Sequence, residues 1–402
     1  MGSVSATIRT WGVGLSMLCA LTAAPAFAGV TTERGSSIVV FPKVMFDSQG
    51  ILTGEPMDTV IQITNTSNSL VYAHCYYMNA APVNPSRPIS DANPPRWQEI
   101  NFDILLTKQQ PTHWVVGLGR PQDPRDPICR GDALNNTVTN RDCVNAGFDP
   151  GRVPLTPDPF VGELRCVEVD SSGAPINGNH LKGVATLVTR EDVANGIPAD
   201  ASKYNAIGLV GLNSDLNSNN SDFTLCIGGG VTEDCPGGAE YSGCPEQVVL
   251  GHYAEGAENP IVQALHANDS SINPAMVSTE LTTVPCTQDL ERLERPQYTV
   301  QFLVVNEFEE LFSTSATVDC WSNDRLSDIS TNIFSEEVLG TRFAQTFMRT
   351  APDQSGFLAV AEVYHTQETS DEGIDIVRRA AFNLVGDGER ARGDVIRIPE
   401  GR

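Results

Sequence analysis

The sequence predicts an all-β protein made of two β-sandwich domains in tandem, the first carrying large loops. Three observations predict it. Helical periodicity is nearly absent along the chain. Turn formers are abundant, with 34 Gly and 26 Pro breaking the chain at short intervals. Between them lie short segments rich in Val, Ile, Thr and aromatic residues, the pattern of a sandwich or barrel of short strands.

Residues 1–28 read as a leader. Arg9 supplies a positive charge, Trp11 to Ala24 is apolar, Pro25 breaks the run, and Ala26-Phe27-Ala28 precedes Gly29. That order of charge, apolar core and small residues is a secretory signal peptide with cleavage after Ala28. The apolar run is shorter than the roughly 20 residues a spanning helix needs. Cys19 follows Met17-Leu18 rather than two small residues, so it makes a poor lipidation site. No later segment is long and apolar enough to cross a bilayer. The expectation is an exported protein that is periplasmic, outer-surface or extracellular.

The strands follow in order. Ser37 to Val44 is a continuous apolar run broken at Pro42. Asp58 to Thr64 alternates, Asn65 to Ser69 is a polar turn, and Leu70 to Met78 alternates again with Val71, Ala73, Cys75 and Tyr77 on one face. Together these two segments read as a hairpin. Further strands are expected at Trp114 to Leu118, Glu163 to Val169, Gly183 to Val188, Ala206 to Leu212 and Gln247 to His252. Pro121 to Pro159 and Asn213 to Asp222 read as loops.

The C-terminal third repeats the plan. Val40-Phe41-Pro42 followed by Thr59-Val60-Ile61-Gln62-Ile63-Thr64-Asn65 is echoed by Thr283-Val284-Pro285 followed by Thr299-Val300-Gln301-Phe302-Leu303-Val304-Val305-Asn306. Each Asn is followed by a turn and a strand ending in Cys-aromatic, Cys75-Tyr76 and Cys320-Trp321. Such self-similarity points to duplication. It divides the chain into the signal peptide (1–28), a first sandwich (36–255), a linker with a short helix around Pro260 to Ala267 (256–276) and a second sandwich, a degenerate repeat of the first (277–398). Two sheets packed face to face would give each unit a core about 10 Å thick.

The segment Ser37 to Met78 resembles the opening strands of immunoglobulin-like sandwiches, including those of periplasmic pilus chaperones. With the I-T-N-T-S segment at Ile63 to Ser67 and Phe160-Val161-Gly162-Glu163-Leu164-Arg165-Cys166, the chain looks like exported, uncharacterised bacterial proteins with immunoglobulin-like domains. The resemblance implies that fold and an envelope or extracellular setting. It implies no activity, and the basic subunit-anchoring residues of a pilus chaperone have no match here.

Composition narrows the partners. The net charge of −24 repels nucleic acid and anionic lipid. A solvated acidic coat is its plain reading. The chain has ten cysteines, of which Cys19 falls in the leader, so an odd number remains. Export favours disulfides. No C-x-x-C occurs and the six histidines are scattered, so no zinc-type spacing appears. Cys129 and Cys143 bracket a polar loop and are expected to pair. Cys286 and Cys320, the cysteines of the C-terminal third, are expected to form a second bridge.

No catalytic or cofactor motif is present: no G-x-S-x-G, H-E-x-x-H, P-loop or G-x-G-x-x-G after a strand. Asn213, Asp215, Asn217, Asn219 and Asp222 space oxygen ligands as calcium binding would want, although the loop lacks the interior Gly and closing Glu of an EF-hand. Arg130-Gly131-Asp132 and Arg392-Gly393-Asp394 match an adhesion tripeptide, for which chance is the better explanation. Trp97, Trp114, Trp321, Tyr76 and Tyr77 are candidates for stacking on sugars, against the usual core role of strand aromatics. The functional expectation is a structural, adhesive or binding module of the envelope or extracellular space, contacting an envelope protein or a glycan. The alternative is a secreted hydrolase with a site in the loops between Pro121 and Pro159 or between Asn213 and Cys244, marked by a His and a carboxylate within hydrogen-bond reach.

Overall fold

The apolar run at Ile38 becomes β1 (Ile38–Phe46), buried along its whole length. A strand covered on both faces reads as a continuous apolar segment rather than an alternating one. β6 (Phe160–Val169) is also buried along its whole length, with Glu163, Arg165 and Glu168 among its buried residues. The computed structural model describes residues 29–90, 92–120, 151–189, 200–212, 222–268, 275–369 and 373–400. The leader, Cys129, Cys143, the first Arg-Gly-Asp and most of the candidate calcium loop lie outside them.

The strands, numbered along the chain, form five sheets. The first sheet runs β4 (Gln98–Leu106), β3 (Val71–Asn79), β6, β1, β9 (Ile207–Leu209). The second runs β5 (Pro111–Val115), β2 (Met57–Asn65), β7 (Leu181–Thr189), β8 (Ala201–Asn205). A small third sheet joins β10 (Thr224–Ile227), β21 (Asp394–Arg397) and β13 (Gln288–Asp289). The fourth runs β15 (Leu311–Asp319), β14 (Gln297–Asn306), β17 (Phe343–Thr350), β11 (Gln247–Tyr253), β20 (Val385–Asp387). The fifth runs β16 (Ser322–Arg325), β12 (Ala275–Pro285), β18 (Phe357–Thr369), β19 (Gly373–Asn383). Helix α1 is Pro260–Asn268; α2 (Leu326–Ile329), α3 (Thr331–Phe334) and α4 (Glu336–Leu339) are single turns.

The all-β expectation is met, but two tandem immunoglobulin-like sandwiches are not what the strands build. The five small sheets are arranged as a five-bladed β-propeller. Three features show why the tandem plan fails. Strands far apart in sequence share sheets: β11, read as the close of a first domain, lies between β17 and β20, and β10 pairs with β21. One hydrophobic core runs from Ile38 to Ile398 and includes Val284, Cys286, Trp321, Val360 and Ile396. The Cys244–Cys286 disulfide spans the expected linker.

The repeat dissolves at the turns. Asn65 to Ser69 does not close a hairpin; it carries the chain from β2 in the second sheet to β3 in the first. Its counterpart after Asn306 is a tight hairpin, with β14 and β15 paired from Gln297↔Asp319 to Val305↔Leu311. Alternation reports that a strand has a buried face, and it is silent on which strand lies beside it. Matching spacing therefore concealed two different pairings.

Gly162 has a physical reason to be glycine. A Cβ there would stand 1.9 Å from the Met78 carbonyl oxygen, because β6 and β3 approach closely at that point. The cysteines also depart from expectation. Cys286 pairs with Cys244, and Cys320 keeps a buried free thiol. Cys75 pairs with Cys166 across β3 and β6, and Cys226 with Cys235. Three disulfides among the described residues suit an exported chain in an oxidising compartment. No helix among them is long and apolar enough to cross a membrane.

Candidate functional site

The site is built around a break in β1. Pro42 has no N–H to donate, and the pairing of β1 with β6 shifts register between Phe41 and Val44. The backbone freed there is satisfied by side chains. Trp321 Nε1 donates to the Pro42 carbonyl at 2.8 Å. The Lys43 N–H donates to Tyr204 Oη at 3.0 Å, and that hydroxyl donates to the Lys43 carbonyl at 2.6 Å. The bulge turns the Lys43 side chain, 1% exposed, toward the fifth sheet.

There it meets two carboxylates. Glu280 on β12 and Glu362 on β18 are directly opposite each other in register. Like charges so placed repel. The Lys43 ammonium reconciles them, 2.8 Å from Glu362 Oε2 and bonded also to Glu280. Tyr364 Oη donates to Glu280 and lies 3.2 Å from Glu362 Oε2, and Ser202 Oγ donates to Glu362 at 2.6 Å. Burial works against the Lys43 charge, but the two carboxylates outweigh it and hold the ammonium above the usual lysine range. Burial also opposes ionisation of Glu280, and Lys43 overcomes it, leaving that carboxyl below its usual range. Tyr364 is pushed well up, by burial first and then by the carboxylates. The cluster is thus a charged lysine, ionised Glu280 and a neutral phenol.

A second buried cluster lies alongside. Arg165 on β6 donates to Glu163 at 3.1 Å, to the Cys286 carbonyl at 3.3 Å and to the Pro285 carbonyl. Gln288 Nε2 donates to the other Glu163 oxygen. Burial raises the Glu163 carboxyl despite Arg165. Each cluster ties the N-terminal strands to β12 and its neighbours.

Above the Lys43 cluster opens a cleft of about 410 Å³. Met45, Met57 and Val161 make its apolar floor, and Glu280, Tyr364 and Arg379 stand on one wall. Arg379 sits 4.8 Å over the Tyr364 ring, pairs with Glu55, and is lowered to about 10 by burial. The rim is exposed: Arg87, Pro88 and Ile89 on one side, Arg325 and Asp328 on the other.

Of the aromatics singled out from sequence, Trp321 alone lines this cleft. Trp97, Trp114, Tyr76 and Tyr77 are core. Asp222, the described member of the candidate calcium loop, is exposed and accepts from the Thr224 N–H at 3.1 Å. Asp394 of the second Arg-Gly-Asp is 2% exposed and bonded to Thr287 and the Gly356 N–H, so it is not displayed. Asp394 also lies beside Cys244 and Cys286, whose sulfurs are bonded to each other and so are not free to ligate a metal.

The histidines are spread out. His180 meets Glu168 at 2.7 Å, a hydrogen bond that raises its pKa against partial burial. His74 meets Asp103 at 2.6 Å. Neither lines the cleft. His252 is buried between the Tyr253 carbonyl at 2.9 Å and Thr346 Oγ1 at 2.8 Å, with no carboxylate partner. Burial lowers it to about 4. Between the unperturbed value of about 6.5 and about 4, the unfolded chain binds a proton that the native state refuses. Stability from this residue is therefore full above pH 6.5 and lost as pH falls, by about 3 kcal/mol at pH 4. Urea unfolding at pH 7 and pH 4 should show His252→Gln losing less than the parent by about that amount; equal losses in the two would contradict it.

Lys43, Glu280, Glu362 and Tyr364 are not among the site residues expected from the sequence. Their signal was present. Lys43 is the single charge of β1, and Glu362 is the single charge in the apolar stretch Phe357 to Tyr364 of β18; such a charge is buried only with a partner.

No protein-family model matches the chain, and no curated protein matches it. Among solved structures, it is similar to the crystal structure of a protein from Parabacteroides distasonis ATCC 8503 classed as secreted. The two are 8% identical, with 89% of this chain and 90% of that one covered, at a TM-score of 0.14. A likeness that low carries no argument about fold or activity.

Proposed function

We propose that this chain is a binding module of the cell envelope or extracellular space whose cleft takes a segment of a protein partner. The observation that supports this is the cleft lining. An apolar floor is flanked by convergent charges on two exposed rims, the usual make-up of a binding pocket. A polypeptide fits it better than a sugar. Met45, Met57 and Val161 suit an inserted apolar side chain, while Arg87, Arg325 and Asp328 suit backbone or charged groups beside it. Trp321, which would serve as a sugar platform, is turned inward, with its indole N–H held by the Pro42 carbonyl. The Lys43, Glu280 and Glu362 groups are matched to one another, so they shape the pocket, and no described histidine lines it.

A photo-crosslinking residue placed at Ile89, 48% exposed on the rim, tests this in intact cells. The expected result is a discrete adduct with one exported protein, weakened when Arg87→Glu or Asp328→Ala is added. The same probe at Val231, 75% exposed and away from the cleft, should give none. Equal adducts from both positions, or none from Ile89, would contradict the reading.

A further inference from the structure

Among the described residues, ten strands stand at the edges of the five sheets, and all but one carry a device against further pairing. β9, β10, β13 and β20 have four residues or fewer. β5 opens on Pro111, β8 carries Lys203, β4 carries Glu99 and Asp103, β16 carries Asp324 and Arg325, and β19 carries Arg379. Short length, proline and charge are how sheets avoid edge-to-edge association. β15 is the exception. Its nine residues, Leu-Phe-Ser-Thr-Ser-Ala-Thr-Val-Asp, hold no proline and no charge before Asp319.

That edge is unpaired. β15 is bonded to β14, and among the described residues no other backbone hydrogen bond reaches Leu311 to Val318. The bond from the Asn306 N–H to the Glu310 carbonyl, 3.2 Å, sets the alternation of the hairpin. It follows that Leu311, Ser313, Ser315 and Thr317 direct their N–H and C=O groups away from β14. These four are exposed, as are Phe308 and Leu303 nearby.

We propose that β15 pairs antiparallel with β15 of a second copy of this chain, about a two-fold axis at Ser315. The strand is complementary to itself in that register. Ser313 faces Thr317 of the second copy, Phe312 faces its Val318, and Thr314 faces its Ala316. Phe312 and Ala316, half-buried against the core of the fourth sheet, become covered. The contact is isologous, so it closes at two copies and consumes the edge. Two five-stranded sheets become one of ten. Net negative charge and the exposed Glu307, Glu309 and Glu310 of the adjoining turn oppose the approach, so added salt strengthens it.

Sedimentation of the leader-processed chain tests this. The parent is expected to dimerise, more tightly in high salt. Ser315→Pro removes an outward N–H that β14 does not use, and it should raise the dissociation constant at least about tenfold with little change in thermal stability. Ser315→Cys should give a disulfide-linked dimer in the absence of reductant, because the two copies of that residue meet on the axis. Ser315→Lys, on an exposed side chain, repeats the proline test without its backbone constraint. A parent that stays monomeric in high salt, or a dimer that survives both Ser315→Pro and Ser315→Lys, overturns the proposal.

Discussion

Lys43→Met should cost about 3–5 kcal/mol of stability, the range for removing one partner from a buried ion pair. Methionine fills nearly the same volume, so the loss reports charge rather than a cavity. Glu280 and Glu362 would be left opposed across β12 and β18 with no cation between them. The variant can relieve that by taking up a proton, which raises a folded-state carboxyl above its unfolded value. Such a group costs nothing below the unfolded value near pH 4 and costs more as pH rises. The penalty should therefore be largest at neutral pH and shrink toward pH 5. Urea titrations of parent and variant at both values check the size and the direction. Total stabilities of single domains run about 5–15 kcal/mol, so the neutral-pH loss threatens folding itself.

Replacing Cys75 and Cys166 together by Ala should cost about 4–5 kcal/mol. The bridge joins directly opposed residues of β3 and β6, 91 positions apart in sequence. A crosslink closing a loop of that length removes about that much entropy from the unfolded chain. Loss of the buried sulfurs adds a smaller packing term. Because most of the effect lies in the unfolded ensemble, the slope of the urea transition should rise as that ensemble expands. Guanidinium or urea unfolding of the parent and the double variant, both under non-reducing conditions, provides the measurement. A loss below about 1 kcal/mol with an unchanged slope would contradict this account.

Strand positions were largely legible in the sequence, and strand partners were not. β1, β2, β3, β6, β7 and β11 fall where apolar runs or alternation placed them, within a residue or a few. β4 was missed because Gln98 and Glu99 open it and its apolar residues gather at the far end. The error at Asn65 is instructive. A five-residue polar turn serves a hairpin and a crossing between sheets equally well, and only long-range packing selects between them. The same limit hid the site. Lys43, Glu280 and Glu362 are distant in sequence, and nothing local says that a bulge at Pro42 aims one at the others. A lone charge in an apolar strand is half of a pair, so Lys43 in β1 by itself predicts a buried acidic partner. The leader did carry the disulfide setting, yet the expected Cys286–Cys320 bridge is replaced by Cys244–Cys286, because the cysteines are buried alike and the choice turns on which strand ends converge.

The claim on which the rest depends is that a buried ammonium between two facing carboxylates binds the N-terminal strands to the fifth sheet beneath the cleft. Its most direct test compares Lys43→Met alone with the same change made together with Glu280→Gln and Glu362→Gln. Neutralising all three groups removes the unmatched charge while keeping an acceptor oxygen for Tyr364 and Ser202 and nearly the same shape. The urea midpoint of the triple variant should recover more than half of what Lys43→Met alone loses. A triple variant no more stable than Lys43→Met would contradict the claim.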